Sequence, residues 1–507
     1  MQTRQPVRGK IIHGISLLLL ILLLAFPRLL DLNATRSPDE DRWMANTAGF
    51  TRKLANVQLR DLVQQPHPGI TTQWLGALTI RFDNWETRKL PVVIGNVLLI
   101  FAASYVFGQL WGKTTGFFTI LALGFDPLLY AHTRVYAMDA LLSLFAVVSL
   151  GLLLLWHQKK ENRYLAAAGV TAAAAGLSKL PGFILAPFTI LLLLQHTIAA
   201  AHGAPQQTTK SEGRTRQLLS PLALYCVSFF AGIIIILPSF GLAPRSVIGS
   251  LAELFRSDEY QEKHQLGAGY YVRSLIFFSA PLQAAGLMAL AAAVRRKKLP
   301  RRLMTQLGIL ALFAALFWLQ MSLGAKKGDR YILPVFAALD IISAAGIASS
   351  LTATGKRNPR QCTAAVLALI VLWQIAIIWQ LHPHNLAYVN PLTRPWFGMR
   401  RHGWGEGLSL AADYLNAKPN AGQLKVASYY PNEFGAYFRG ETVPAHQHDT
   451  AGVDYVVLYR AMLERGPHAW ETDVVNRYLF QTPEHTIRLG GLDYLWIYRT
   501  PPQSQEP

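Results

Sequence analysis

The chain has 507 residues, 51% of them hydrophobic and only 15% charged, with a mean hydropathy of +0.24. Ordinary soluble domains carry about 25% charged residues, so this composition excludes an ordinary soluble domain and indicates a polytopic membrane protein. A net charge of +19 would suit a nucleic-acid partner, but the basic residues stand in short clusters between apolar runs, which is the positive-inside pattern. Cys226 lies in an apolar run and Cys362 at the edge of another, so neither a disulfide framework nor a thiolate metal site is expected.

The first apolar run, 11–30, follows Arg4, Arg8 and Lys10, as the core of a secretory signal would. It is about 20 residues long, enough to cross a bilayer, and no small-residue cleavage site follows it. It reads as a retained span. Further spans are expected at 90–110, 116–132, 137–156, 164–178, 181–200, 217–239, 271–293, 303–323, 331–350 and 363–381. That makes about eleven helices, since a helix satisfies its own backbone inside lipid. The segments at 116–132 and 164–178 are short for this role.

Lys and Arg in the loops set the orientation. With the N-terminus cytoplasmic, the inner loops hold Lys159, Lys160 and Arg163, then Lys210, Arg214 and Arg216. They also hold the Arg295–Arg302 cluster, then Lys356, Arg357 and Arg360. The 31–89 segment, the 240–270 loop and everything after residue 381 then lie outside, and the membrane is expected to be the plasma membrane. Lys326-Lys327-Gly328-Asp329-Arg330 breaks the rule with three cations on the outer side. An anionic ligand such as a phosphate would compensate them.

Residues 37–76 form the densest reactive stretch. Ser37-Pro38-Asp39-Glu40-Asp41-Arg42-Trp43 opens it, and Pro66-His67-Pro68-Gly69 leads into the segment ending at Trp74-Leu75-Gly76. Pro38 suits the start of a helix with the acids in its first turn. Downstream of 382 the composition turns polar. A helix over 408–415, strands over 424–430 and 453–459, a helix over 469–479 and a strand pair over 486–499 are expected. The chain thus divides into a transmembrane part over 1–385, with its outer loop at 31–89, an outer α/β domain over 386–500 and a disordered tail over 501–507.

Acids and cations converge on the outer face from segments distant in sequence. The first loop offers Asp39, Glu40, Asp41 and His67. The start of the fourth span offers Arg134 and Asp139, and the start of the tenth offers Lys326, Lys327 and Arg330. Arg134 and Asp139 stand about 140° apart on a regular helix, so they do not share a face. These residue types suit group transfer from a lipid-linked phosphate. A carboxylate takes the proton of an attacking hydroxyl, and Lys or Arg receives the charge of the leaving phosphate. Two carboxylates holding a divalent cation would serve the same phosphate. In the outer domain, His446 and His448 with Glu441 and Asp449 read as a polar loop rather than a metal site.

Pro38-Asp39-Glu40 with Trp43, His67-Pro68-Gly69, Arg134 with Asp139, and Arg330-Tyr331-Ile332-Leu333-Pro334 follow one another in the order and topology of a known family. In these motifs the chain resembles the GT-C membrane glycosyltransferases, in the branch of the protein O-mannosyltransferases, the aminoarabinose transferases and their bacterial relatives. Tyr388-Val389-Asn390-Pro391-Leu392 and Gly403-Trp404-Gly405-Glu406-Gly407-Leu408 are similar to bacterial members. The resemblance covers roughly 11–400 and the start of the outer domain, and it makes Asp39 the first-loop catalytic acid, Glu40 its neighbour and Asp139 the second acid. It also makes Arg330 the arginine facing the donor phosphate, and His67 part of the His-Pro element. Gly69 stands where the eukaryotic mannosyltransferases have a second proline, which leaves the acceptor open. The resemblance implies an inverting transfer of one sugar from a polyprenyl phosphate, with no nucleotide or flavin.

The expected site therefore has Asp39, Glu40 and Asp139 as catalytic groups, with Asp39 and Asp139 the ligands of any divalent cation. Arg330, Lys326, Lys327 and Arg134 hold the donor phosphate, and His67, Trp43 and Tyr331 position the loop or the acceptor. The partners are a polyprenyl-phosphate sugar, an acceptor protein, lipid or envelope glycan, and membrane lipid. The competing reading is a transporter of a lipid-linked sugar. Transporters keep their polar sites near the bilayer midplane, whereas here the polar groups gather at one face.

Overall fold

The computed structural model describes residues 19–63, 68–202, 211–256, 267, 269–324, 326–353, 357–396, 403–449, 452–465 and 469–501. Among them, six helices are long and apolar enough to cross a membrane, or eight if each of two bent pairs counts as one span. The chain is a multi-pass helical membrane protein with a small C-terminal sheet domain. Part of the first expected span, 11–18, lies outside the described residues; Leu19–Leu29 is helical and apolar. The segment expected at 164–178 is a helix, Asn162–Ser178.

Two expected spans are broken. Lys113–Phe125 and Pro127–Thr133 meet at 68°, and Tyr270–Phe278 and Pro281–Arg295 at 99°. In each case the second helix opens on a proline, which has no N–H to continue the first. At the first break Asp126 caps the new helix, accepting the backbone N–H of Leu129 at 2.7 Å. The first bend turns the 127–133 segment, with His132, away from the line of the helix before it.

Asp139–Lys159 and Asp329–Leu351 are the central helices, 83% and 89% buried inside the protein, against 22% for Gln361–Leu381 on the rim. A helix apolar on every side and enclosed by other helices belongs at the centre of a bundle. Asp139 and Arg330 stand at the starts of these two helices, so the core itself fixes both charges at one end of the bundle.

The outer domain carries a five-stranded sheet of β1 Lys425–Ser428, β2 Glu441–Pro444, β3 Tyr455–Tyr459, β4 His485–Leu489 and β5 Leu492–Arg499. The order is β2-β1-β3-β5-β4. β1 is parallel to β2 and β3, whereas β5 is antiparallel to β3 and β4. Gly490 and Gly491, both at positive φ, make the β4–β5 turn. The expected helices are present as Leu408–Asn416 and Ala469–Tyr478. β2 has no sequence signature, because it is four residues long, ends on Pro444 and fully buries only Val443.

The connector stays on the membrane part. Asn390 donates its N–H to the carbonyl of Phe277 at 2.7 Å, and the Tyr388 hydroxyl donates to that of Ser279 at 3.0 Å. The connector is therefore held against one end of the helix bundle.

Candidate active site

Asp39 occupies the N-cap position of the helix Glu40–Ala55, yet its side chain makes no capping hydrogen bond. It points instead to Arg330, whose Nη2 donates to Asp39 Oδ2 at 2.8 Å. Arg42 stands 3.6 Å from the other carboxylate oxygen. Burial alone would raise the Asp39 carboxyl, but Arg330, Arg42 and Lys179 outweigh it and hold it below the usual carboxylate range. Two rings lie beside Arg330: its guanidinium carbon is 3.7 Å from the centre of the Trp404 ring and 5.5 Å from that of Tyr331. Its Nη1 is buried and has no hydrogen-bond partner among the described residues.

A second ion pair lies beside the first. Asp139, buried at the start of its helix, accepts Lys179 Nζ at 2.7 Å. The same ammonium sits 4.2 Å from the Tyr331 ring centre. Tyr331 thus lies beside both cations. His132 completes this wall, with its ring centre 6.0 Å from that of Trp404 and its Nδ1 buried without a partner among the described residues. Arg330 and Lys179 already supply, at Asp39 and Asp139, positive charge of the kind expected from a divalent cation.

The structure separates other expected members from this cluster. Glu40 is buried and saturated. Its carboxylate pairs with Lys89 Nζ at 2.8 Å and accepts the N–H groups of Tyr136 at 2.6 Å and Ser37 at 3.0 Å. Arg134 points toward the connector, donating to Asn385 Oδ1 at 2.6 Å and lying 2.8 Å from His382 Nδ1, with a further bond to the carbonyl of Leu30. It makes no pair with Asp139. Lys327 caps the helix Arg301–Leu323 by donating to the carbonyls of Ser322 and Gly324. Lys326 is half-buried near Tyr331. Trp43 is a core residue packed where Gly69 leaves no room for a Cβ. His67 lies outside the described residues.

Three contributors escaped the sequence reading. Lys179 had a signal: it is a lone cation in the two-residue connection between the expected fifth and sixth spans, on the outer side. His132 had none, because it sits inside an apolar run. Trp404 belongs to a recognised run, but nothing in the sequence says which residue it touches. Glu433 of the outer domain approaches the same acids. Burial pushes its carboxyl up, and the charges of Asp41 and Asp39 add to that push. Elsewhere, His448, Asp449 and Asp473 are the one trio among the described residues with metal-ligand geometry, and Arg477 already pairs with Asp449. Glu441 pairs instead with Lys425 at 2.7 Å.

Residues 67–204 match the family model described as dolichyl-phosphate-mannose-protein mannosyltransferase. The fold matches ArnT from Cupriavidus metallidurans bound to undecaprenyl phosphate, with a TM-score of 0.52 and 15% identity over 97% of this chain and 98% of that one. The apo form of the same protein matches with a TM-score of 0.50 and 16% identity, over 97% of each chain. No curated protein matches the sequence. The chain as a whole thus has the GT-C type of membrane fold, and its 67–204 segment carries the match to a glycosyltransferase family model.

Proposed function

We propose that this enzyme moves one sugar from a polyprenyl phosphate to an acceptor hydroxyl at the outer face of the plasma membrane, inverting the anomeric centre. The observation that carries the reading is the pairing of Asp39 with Arg330 beside the pairing of Asp139 with Lys179. Two carboxylates and two cations meet at one membrane face, and Arg330 Nη1 has no hydrogen-bond partner among the described residues. The ArnT structure with undecaprenyl phosphate supports a lipid-phosphate donor for this fold.

Asp39 takes the proton of the acceptor hydroxyl as its oxygen attacks the anomeric carbon. The bond from that carbon to the phosphate oxygen breaks, and the polyprenyl phosphate leaves with its charge received by Arg330 and Lys179. A carboxylate held low by Arg330 is a weak base. An incoming phosphate competes for that guanidinium and so raises Asp39 when the donor is in place. Asp139 keeps Lys179 in position, and Tyr331 bears against both cations. Lys326 is close enough to Tyr331 to add to the positive field on the phosphate. Glu40 and Arg134 act on the scaffold. Glu40 ties the start of the helix after Asp39 to Lys89 and Tyr136. Arg134 ties the connector to the bundle. His67, next to Pro68 and Gly69, positions the loop that Trp43 anchors.

The N-terminus is cytoplasmic in this reading, and the transmembrane part over 1–385 presents its site to the outer domain over 386–500. The acceptor is a protein, a lipid-anchored glycan or another envelope polymer. The test uses the full chain in proteoliposomes with radiolabelled polyprenyl-phosphate monosaccharides and an envelope extract as acceptor. Transfer by the wild type that requires Asp39 supports the reading. If no donor is consumed but lipid-linked sugar crosses the bilayer faster with the protein present, the reading is wrong and transport replaces it.

A further inference from the structure

Arg330 reaches its position through a contact the membrane part does not supply. The indole of Trp404 covers one face of its guanidinium at 3.7 Å, and Trp404 belongs to the loop that leads into the outer domain. From Gly403 on, that loop follows an unusual backbone path. Gly403, Gly405 and Gly407 all take positive φ, at 135°, 101° and 83°, a region that side chains rarely adopt. Gly405 lies against the carbonyl of Arg36, three residues before Asp39, with no space for a Cβ.

The residue between the last two glycines fixes the loop from inside. The Glu406 carboxylate is buried and accepts the Trp404 N–H at 2.7 Å and the Tyr494 hydroxyl at 3.0 Å. The Tyr459 hydroxyl accepts the Gly405 N–H at 3.0 Å and donates to the Glu406 carbonyl at 3.2 Å. Tyr459 ends β3 and Tyr494 lies on β5, so the sheet of the outer domain holds the loop. On the membrane side, His384 Nδ1 accepts the Gly407 N–H at 3.3 Å. A loop pinned from both sides delivers one aromatic ring onto one cation.

A guanidinium has five N–H donors in a rigid plane, and its use depends on where that plane faces. Nη2 is committed to Asp39, while Nη1 is buried without a partner among the described residues. Without the ring, Arg330 would be free to rotate and give both amino groups to the carboxylate, the strongest geometry for that pair. With the ring in place, one amino group remains for another oxygen. Stacking a cation on an indole also keeps it attractive to an anion, because the contact uses the face and leaves the edge donors available.

We infer that Trp404 is a positioning residue for donor binding: by stacking on Arg330 it keeps Nη1 turned toward the donor's phosphate, which makes the outer domain a working part of the membrane site. The inference rests on the function proposed above.

The experiment compares Trp404→Phe and Trp404→Leu in the full-length protein. Both remove the indole; Phe keeps a ring face, while Leu keeps only apolar bulk. The readouts are the thermal midpoint, the donor KM, kcat at saturating donor, and inhibition by undecaprenyl phosphate. The expected result is a rise of about tenfold or more in donor KM and in the inhibition constant for Leu, and of under about threefold for Phe. The expected change in kcat is under about threefold for both variants, with midpoints close to wild type. Equal behaviour of Phe and Leu, or wild-type affinity for undecaprenyl phosphate in Leu, overturns the inference while leaving the proposed function standing. Absence of transfer and of undecaprenyl phosphate binding in the wild type removes the proposed function, and the inference falls with it. Should Leu fail to fold, Phe against wild type still decides: a Phe variant that binds undecaprenyl phosphate more than about tenfold weaker contradicts a role that any aromatic face fills.

Discussion

Asp39 and Glu40 are adjacent carboxylates at the start of one helix, and they have opposite surroundings. The Asp39 side chain keeps 25% of its surface open and meets two cations, Arg330 and Arg42. The Glu40 side chain keeps 1%, and Lys89, Ser37 and Tyr136 occupy its oxygens. Neighbouring side chains diverge, so a single Asp-Glu pair serves two regions. One region is a partly open cluster of charges that also holds Asp139 and Lys179. The other is a buried clamp that sets where the first one sits. The difference teaches that two neighbouring acids can be exposed and buried in turn, and that the proposed function assigns the chemistry to the exposed one.

The comparison breaks most sharply at these two residues. Asp39→Asn is expected to lower transfer by a factor of about 100 or more with the thermal midpoint nearly unchanged. Glu40→Gln is expected to do the reverse in stability, losing about 3 kcal/mol or more because Lys89 is left buried and unpaired. Adding Lys89→Met should recover most of that loss, as measured by thermal unfolding in detergent. A Glu40→Gln protein that is fully stable but inactive would move Glu40 into the chemistry.

Lys179 and Lys327 extend the contrast to cations. Lys179→Met should raise the donor KM by about tenfold, since its ammonium faces the site beside Asp139. Lys327→Met should change it by under about twofold, because its ammonium is spent on helix-end carbonyls. Arg134→Lys should leave the donor KM alone and lower stability by about 1–3 kcal/mol through the lost contacts to Asn385 and Leu30. Steady-state kinetics on the three variants orders them.

A last contrast concerns pH at the joint between the two parts. Burial pushes His384 down to about 4, and the charge of Arg134 adds to the effect. Its neutral ring accepts the Gly407 N–H. The folded protein favours the neutral form, so the contribution is complete above about 6.5 and is lost as pH falls toward 4, about 3 kcal/mol in all. The thermal midpoint should fall between pH 7.5 and 5, and His384→Asn should flatten that slope. An equal slope in both proteins would place the pH sensitivity elsewhere.

Much of the architecture was legible because a membrane imposes length and polarity on a helix. The bends at Asp126-Pro127 and near Pro281 were written in proline, but an apolar run on both sides concealed them. β2 was invisible for want of length. At the candidate site, the meeting of Asp39, Asp139 and Arg330 was legible from residue type, order and topology. Glu40 was misleading, because sequence cannot show that Lys89, about fifty residues later, reaches its carboxylate. Arg134 and Lys327 were counted with the phosphate binders on charge alone, and the structure spends them on backbone carbonyls and neighbouring side chains. Lys179 was legible in principle as an outer-side cation. Trp404 was not, since its contact with Arg330 depends on the placement of a whole domain.

The most direct test measures consumption of radiolabelled polyprenyl-phosphate monosaccharides by wild type, Asp39→Asn and the Glu40→Gln/Lys89→Met double variant, each reconstituted at equal folded amounts. The account predicts transfer by the wild type, transfer within about tenfold of it by the double variant, and a loss of about 100-fold or more in Asp39→Asn. Wild-type transfer by Asp39→Asn, or loss in the double variant alone, would contradict the assignment of Asp39 as the base.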